Sequence, residues 1–298
     1  MAVLLMAWSQ SVPCGPVMAI LNGTDGGYMS DKNRDSGVLL VEGTGSVRTV
    51  TMNRPDWMNA VNEELHSELA DVWAGLRDDD EVGAVVLTGA GRAFSAGGDM
   101  DFLNRVSNDP DFRYRSMAEA RRIVTELIAF PKPVIAAVNG PAVGLGCSLA
   151  VLSDVVFMSE RTFMADPHVT LGLVAADGGA LAWPLVMSML RAKEYLLTGD
   201  RIDAATAERL GMANHVVPAE EVLPSAHALA RRLADQPKQA LRDTKRALNM
   251  HVTAAVGNVI DFAFAAEAET FALPTFREQL DSYTTDRNIG NSRAAASS

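Results

Sequence analysis

Apolar positions along the chain recur with two periods. From Val38 to Met52 they alternate with polar ones, and Gly43 and Gly45 separate Leu39-Leu40-Val41 from Val47, Val50 and Met52, which predicts a β-hairpin. Asn59 to Arg77 switches to helical spacing, with Leu65, Leu69, Val72, Trp73 and Leu76 on one face. The acidic run Asp78 to Glu81 closes that helix. Val82 to Leu87 and Val134 to Val138 are unbroken apolar runs of strand length, as expected of strands buried on both faces. Between them, Tyr114 to Phe130 carries a helical stripe of Met117, Ile123, Val124, Leu127 and Ile128, stopped by Pro131 and Pro133. A helix to about Leu152 and a strand from Val155 to Phe163 follow. Strands alternating with helices imply parallel β/α units, hence an α/β fold.

Beyond about Leu181 the pattern is helical almost throughout: Leu190 to Leu197, Ala204 to Leu210, Ala219 to Asp235, Lys238 to His251 and Val256 to Phe271. Asp203 is placed to cap the second of these and Gly211 to end it. One short strand, Asn214 to Val217, interrupts the series. No internal repeat is visible. The organisation read from these patterns is an extension over residues 1–36, a β/α core over 37–200, a helical region over 201–287 and a frayed small-residue tail over 288–298.

Composition narrows the partners. The 298 residues are 48% hydrophobic, ample for one large domain, and 37 acidic against 26 basic residues give a formal charge of −11. That charge argues against nucleic acid or an anionic membrane as the main partner. Cys14 and Cys147 stand far apart with no metal-type cluster, so neither a disulfide framework nor a zinc site is indicated, and a reducing cytoplasm fits. Met1 to Leu21 is apolar but has no basic residue before Lys32, unlike a secretory signal, and Ser11, Pro13 and Gly15 interrupt it too often for a membrane span. It reads as an extension, with Met18 or Met29 as alternative starts.

The candidate chemistry lies in two glycine-rich turns. One runs through Phe94-Ser95-Ala96-Gly97-Gly98-Asp99 after the strand at Val82 to Leu87; the other runs from Asn139-Gly140-Pro141 to Gly144-Leu145-Gly146 after the strand at Val134 to Val138. Two such turns can aim backbone N–H groups at one point, where an oxygen that turns negative during reaction is stabilised. The bland alternative is a pair of tight turns with no ligand.

These turns do not stand alone. Together with Asn53-Arg54-Pro55, Asn59-Ala60, Gly172-Leu173, Asp177-Gly178-Gly179 and Leu197-Thr198-Gly199 they occur in the order found in the crotonase (enoyl-CoA hydratase/isomerase) superfamily, which the chain resembles from about Gly37 to Phe271. The resemblance implies a crotonase-like spiral of ββα units with a C-terminal helical trimerisation region, and an acyl-CoA thioester as substrate. No cofactor is implied besides the CoA that the substrate carries. It also implies a trimer or a dimer of trimers, and the apolar stretch Val259, Ile260, Phe262, Phe264 and Phe271 supports association.

By residue, the resemblance places the oxyanion donors at the backbone N–H of Gly98 and Leu145, the latter where a helix begins and its dipole adds to the N–H. It places Trp57, Met58, Ala96 and Met100 along CoA, although Trp57 reads equally well as a packing residue. Asp56 stands where relatives often have lysine, a departure that weakens a phosphate contact. A larger departure concerns the acid and base. Hydratases of this family add water between two glutamates, and here the aligned positions hold Ser148 and His168. Serine is no base at neutral pH. His168, with an ordinary pKa near ~6.5, is the candidate acid/base, and its rival reading is a cap of the turn after Pro167. Asp177 is the candidate partner that orients the ring, with helix capping as its rival role and Asp166 as a weaker alternative partner. His66, His227 and His251 read as surface or packing residues.

Three functions follow: an acyl-CoA isomerase or atypical hydratase working through His168; a hydrolase of a carbon–carbon (β-diketone-type) or thioester bond using His168 and Asp177; and a non-catalytic acyl-CoA-binding homologue.

Overall fold

The computed structural model describes residues 37–43 and 45–282. The N-terminal extension and the small-residue tail expected from composition lie outside the described residues. In chain order the elements are β1 (Leu39–Glu42), β2 (Val47–Met52), α1 (Glu63–Asp78), β3 (Ala84–Gly89), α2 (Met100–Asn108), α3 (Pro110–Ala129), β4 (Val134–Val138), β5 (Ala142–Val143), α4 (Leu145–Val151), β6 (Val155–Ser159) and β7 (Phe163–Ala165). Then come α5 (Gly179–Val186), α6 (Met189–Thr198), β8 (Ile202–Asp203), α7 (Ala204–Leu210), β9 (His215–Val217), α8 (Val222–Ala234), α9 (Lys238–Gly257) and α10 (Ile260–Ala272). Residues 274–282 are helical again.

Six strands form one sheet in the order β1-β2-β3-β4-β6-β9, antiparallel only between β1 and β2. Gly43 and Gly45, both at positive φ, flank that hairpin turn. Successive residues of β3 serve opposite faces. Val85 and Leu87 pack with α1 (Leu65, Leu69, Trp73) and α3 (Ile123, Leu127), whereas Ala84 and Val86 meet α8 through Val222, Ala226, Ala230 and Ala234. This double burial explains the unbroken apolar runs. The alanines of α8 recur every fourth residue, one stripe of small side chains laid on the sheet.

A second sheet of three short strands, β5-β7-β8, stands beside the first. The strand expected from Val155 to Phe163 is therefore two strands. A turn closed by Thr162 N–H donating to the Ser159 carbonyl at 3.3 Å redirects the chain, so that β6 joins the large sheet and β7 the small one. Helix α2 carried no expectation, although four of its nine residues, Met100, Phe102, Leu103 and Val106, are apolar. It ends where α3 begins: Asp109 closes α2 and its carboxylate accepts from the N–H groups of Asp111 and Phe112, with Pro110 as the first residue of α3.

The apolar residues of α10 mostly serve this chain itself. Ile260 and Phe264 pack with α3 and Phe271 with Phe276, which leaves Phe262 alone among them at 75% exposure. Among the described residues no helix is long and apolar enough to cross a membrane.

Candidate active site

The two glycine turns are stitched into one unit. Ser95 N–H donates to the Pro141 carbonyl at 3.1 Å, and Val143 N–H returns a bond to the Ser95 carbonyl at 2.9 Å. Buried Asn59 braces the first turn, its Nδ2 donating to the carbonyls of Ala90 (2.9 Å) and Ala93 (2.8 Å). Asn139 reaches back to Gly89 and Gly91, each at 2.9 Å. Gly97 and Gly144 both lie at positive φ, where a side chain would strain the backbone. A Cβ on Gly144 would stand 3.6 Å from His168 Cε1 and 3.9 Å from the Gly97 Cα, so both turns and the histidine meet at one spot. Neither the Gly98 nor the Leu145 N–H donates to a backbone carbonyl of these turns among the described residues.

Gly98, Leu145, Ala96, Met100, His168 and Asp177 line one cavity of about 390 Å³. Trp57 and Met58 are not brought into it. Trp57 is 59% exposed beside a neighbouring groove, with the Arg54 guanidinium 5.2 Å from its ring. Met58, at φ 52°, takes part through its backbone, accepting from Ala96 N–H at 3.0 Å.

Neither rival role is taken up by the two candidate acid/base residues. His168 begins the short turn Val169–Leu171 without a side-chain cap bond, and Gly178 rather than Asp177 precedes α5. His168 is instead ringed by carboxylates. Nδ1 is hydrogen-bonded to Asp166, while Nε2 lies 3.6 Å from both Asp177 Oδ2 and Glu267 Oε1. Asp166, rated the weaker partner from sequence, makes the direct bond. Ser148, the residue expected at the other glutamate position, has its hydroxyl within bonding distance of Asp177 Oδ1 (3.0 Å) and the Gly144 carbonyl (3.2 Å). Gly178 and Gly179 leave the space that Ser148 and Asp166 occupy, since a Cβ at either would overlap them.

Burial lowers the pKa of His168, but the charges of Asp166 and Asp177, the Asp166 hydrogen bond and Glu267 outweigh it and hold the ring well above the ordinary histidine value. The expectation of an ordinary imidazole gives way to an imidazolium at neutral pH. Burial raises Asp177 against the pull of His168, and Asp166 adds to the rise. Glu267 is pushed up to about 8 by burial, against His168 and with help from Asp177 and Asp166. Burial also raises the Cys147 thiol well above its usual range, which removes it as a nucleophile. One atom each from Asp166, His168 and Asp177 lies within 4.8 Å of the others, a set able to surround a cation, but the ring proton competes for the same carboxylates.

Glu267 carried no expectation. Its signal was present: a lone acid between Phe264 and Phe271 on the buried face of α10, with Oε2 unpartnered among the described residues. His66, read as a packing residue, also lines the cavity.

The enoyl-CoA hydratase/isomerase family model matches residues 42–290. The chain belongs to that family. A solved enoyl-CoA hydratase/isomerase from Mycobacterium paratuberculosis is 48% identical, with a TM-score of 0.80 over 82% of this chain and 98% of its own. A probable enoyl-CoA hydratase of Mycobacterium bovis is 32% identical over 81% of this chain and 95% of its own length. A β-diketone hydrolase from the cyanobacterium Anabaena, solved with (S)-3-oxocyclohexyl acetic acid, is 29% identical with a TM-score of 0.74, over 79% of this chain and 94% of its own. Within the enoyl-CoA hydratase/isomerase family, then, this member has a His–carboxylate cluster facing its paired glycine turns.

Proposed function

We propose that the protein is an acyl-CoA enzyme that moves a proton at the carbon next to a thioester carbonyl, an isomerase or atypical hydratase without the paired glutamates. The supporting observation is His168 held by three carboxylates against the Gly144 turn, with Ser148 at the other glutamate position. The thioester oxygen sits on the N–H groups of Gly98 and Leu145, which stabilise it as the enolate forms. Asp177, a carboxylate raised by burial, takes the proton, and the His168 imidazolium beside it balances the new charge and returns a proton at a second carbon. Asp166 fixes the ring through Nδ1, as the third member of other His–Asp sites does. No group beyond the CoA of the substrate takes part.

His168→Ala should lower kcat on a 2- or 3-enoyl-CoA by about 10²- to 10⁴-fold with KM little changed. Unchanged turnover overturns the reading. A second reading, hydrolysis of a carbon–carbon bond between two carbonyls, draws on the same His168–Asp177 edge and on the likeness to the β-diketone hydrolase. Water would add to one carbonyl, the bond to the neighbouring carbon would break, and that carbon would take a proton from the cluster. Turnover of a cyclic 1,3-diketone without CoA would favour it over the first.

A further inference from the structure

The cavity holds a second imidazole that the proposed chemistry leaves idle. His66 lies in the second turn of α1, is 3% exposed, and lines the cavity together with Val61, Phe102, Leu103, Met117 and Ala120, all apolar. Nδ1 is 3.0 Å from Glu119 Oε2, and since a carboxylate only accepts, Nδ1 carries the proton there. The ring leans on Phe102 with centroids 5.1 Å apart. These contacts fix the ring's orientation and use one nitrogen. Nε2 takes no hydrogen bond among the described residues.

A packing role explains Nδ1 and the ring face but not a polar atom left without a partner in the lining of a ligand cavity. A plain hydrocarbon chain lying there would strip Nε2 of water and give nothing back, whereas a ligand oxygen would restore the lost bond. We infer that His66 forms a second polar subsite, and that the substrate's acyl part carries a hydroxyl or carbonyl oxygen beyond the carbons that react. The neutral ring accepts from a hydroxyl at Nε2; the charged ring donates to a carbonyl. This rests on the acyl-CoA reading above and adds the chemical class of the acyl group.

The test is binding, measured by calorimetry with the whole protein. The probes are saturated acyl-CoAs of five to eight carbons, each unsubstituted, or hydroxylated or ketonic at an internal carbon beyond the third, together with the corresponding free acids. At one chain length or more, an oxygenated thioester should bind about tenfold tighter than its unsubstituted counterpart. His66→Phe should erase that ratio by weakening the oxygenated ligand more than the unsubstituted one, and His66→Gln, which keeps a polar end, should restore part of it. Equal or tighter binding of the unsubstituted chain at every length overturns the subsite, as does an equal loss for both ligands in His66→Phe. Thioesters that bind without an oxygen preference defeat this inference alone. If no thioester binds, the acyl-CoA reading falls with it.

Discussion

Glu267 keeps its proton through neutral pH, with a pKa of about 8 imposed by burial beside Asp177 and Asp166. The sign of its effect on stability follows directly. An unfolded glutamic acid releases its proton near 4.5, so between that pH and about 8 the folded chain binds more protons than the unfolded one. Stability is full below the unfolded value and is lost as pH rises through the folded one. His168, also raised, acts in the same direction. Urea unfolding at a series of pH values should show stability falling across this window, and Glu267→Gln should make the fall shallower. A slope unchanged by the substitution would contradict the buried, protonated glutamic acid. The sequence singles out His168 by its register with an expected acid/base position and Asp177 by its glycine turn, and the fold brings the two to one cavity with Nε2 3.6 Å from Oδ2. Which acid bonds the ring was not legible: Asp166 lies two residues before His168 and Asp177 nine after it, and the folded path between β7 and α5 decides which carboxyl meets which ring nitrogen.

The elements around the site depend on buried ties that hydrophobic pattern does not reveal. Lys132, in the link from α3 to β4, is 0% exposed and donates from Nζ to the carbonyls of Leu76 (2.7 Å) and Asp79 (2.6 Å), closing the C-terminus of α1. Lys245 of α9 does similar work on the other side, donating to Asp154 Oδ2 (2.6 Å) and the Lys132 carbonyl (2.8 Å). Lys132→Met keeps the volume but leaves the Leu76 carbonyl without its donor, while the Asp79 carbonyl keeps the Val82 N–H at 3.1 Å, and should lower stability by about 2 kcal/mol in urea unfolding. Since Lys132 does not line the cavity, kcat at a permissive temperature should stay within about twofold. Strands β3 and β4, helix α1 and most of the C-terminal helices were visible as periodicity. The two-residue strands β5 and β8 were not, because segments so short show no period and are fixed by tertiary pairing, and β7 was read as the end of the strand before it.

At the scale of the whole molecule, several large apolar side chains stand in solvent on the C-terminal helices: Leu190 (79% exposed) and Leu197 on α6, Leu248 and Met250 on α9. Leu248 also lines a groove with residues of α5 and α8. The expected assembly is a homotrimer or a dimer of trimers, and sedimentation at micromolar concentration should give three or six chain masses. Leu190→Glu with Leu248→Glu should shift that mass downward. A monomer in the unsubstituted protein would count against the assembly.

The four titratable groups of the cluster, His168 and its three acids, are unequally distributed along the chain. Three of them, Asp166, His168 and Asp177, fall within one short stretch, whereas Glu267 arrives from α10 nearly at the end. A reaction can therefore be exchanged in this fold by swapping a single cassette while the glycine turns stay untouched. Such a graft would remain incomplete until the recipient's distal helix acquired an acid of its own. In descent, the two steps are separable, and intermediates holding the local trio without the distant acid should be viable proteins whose reaction chamber holds one titratable proton fewer.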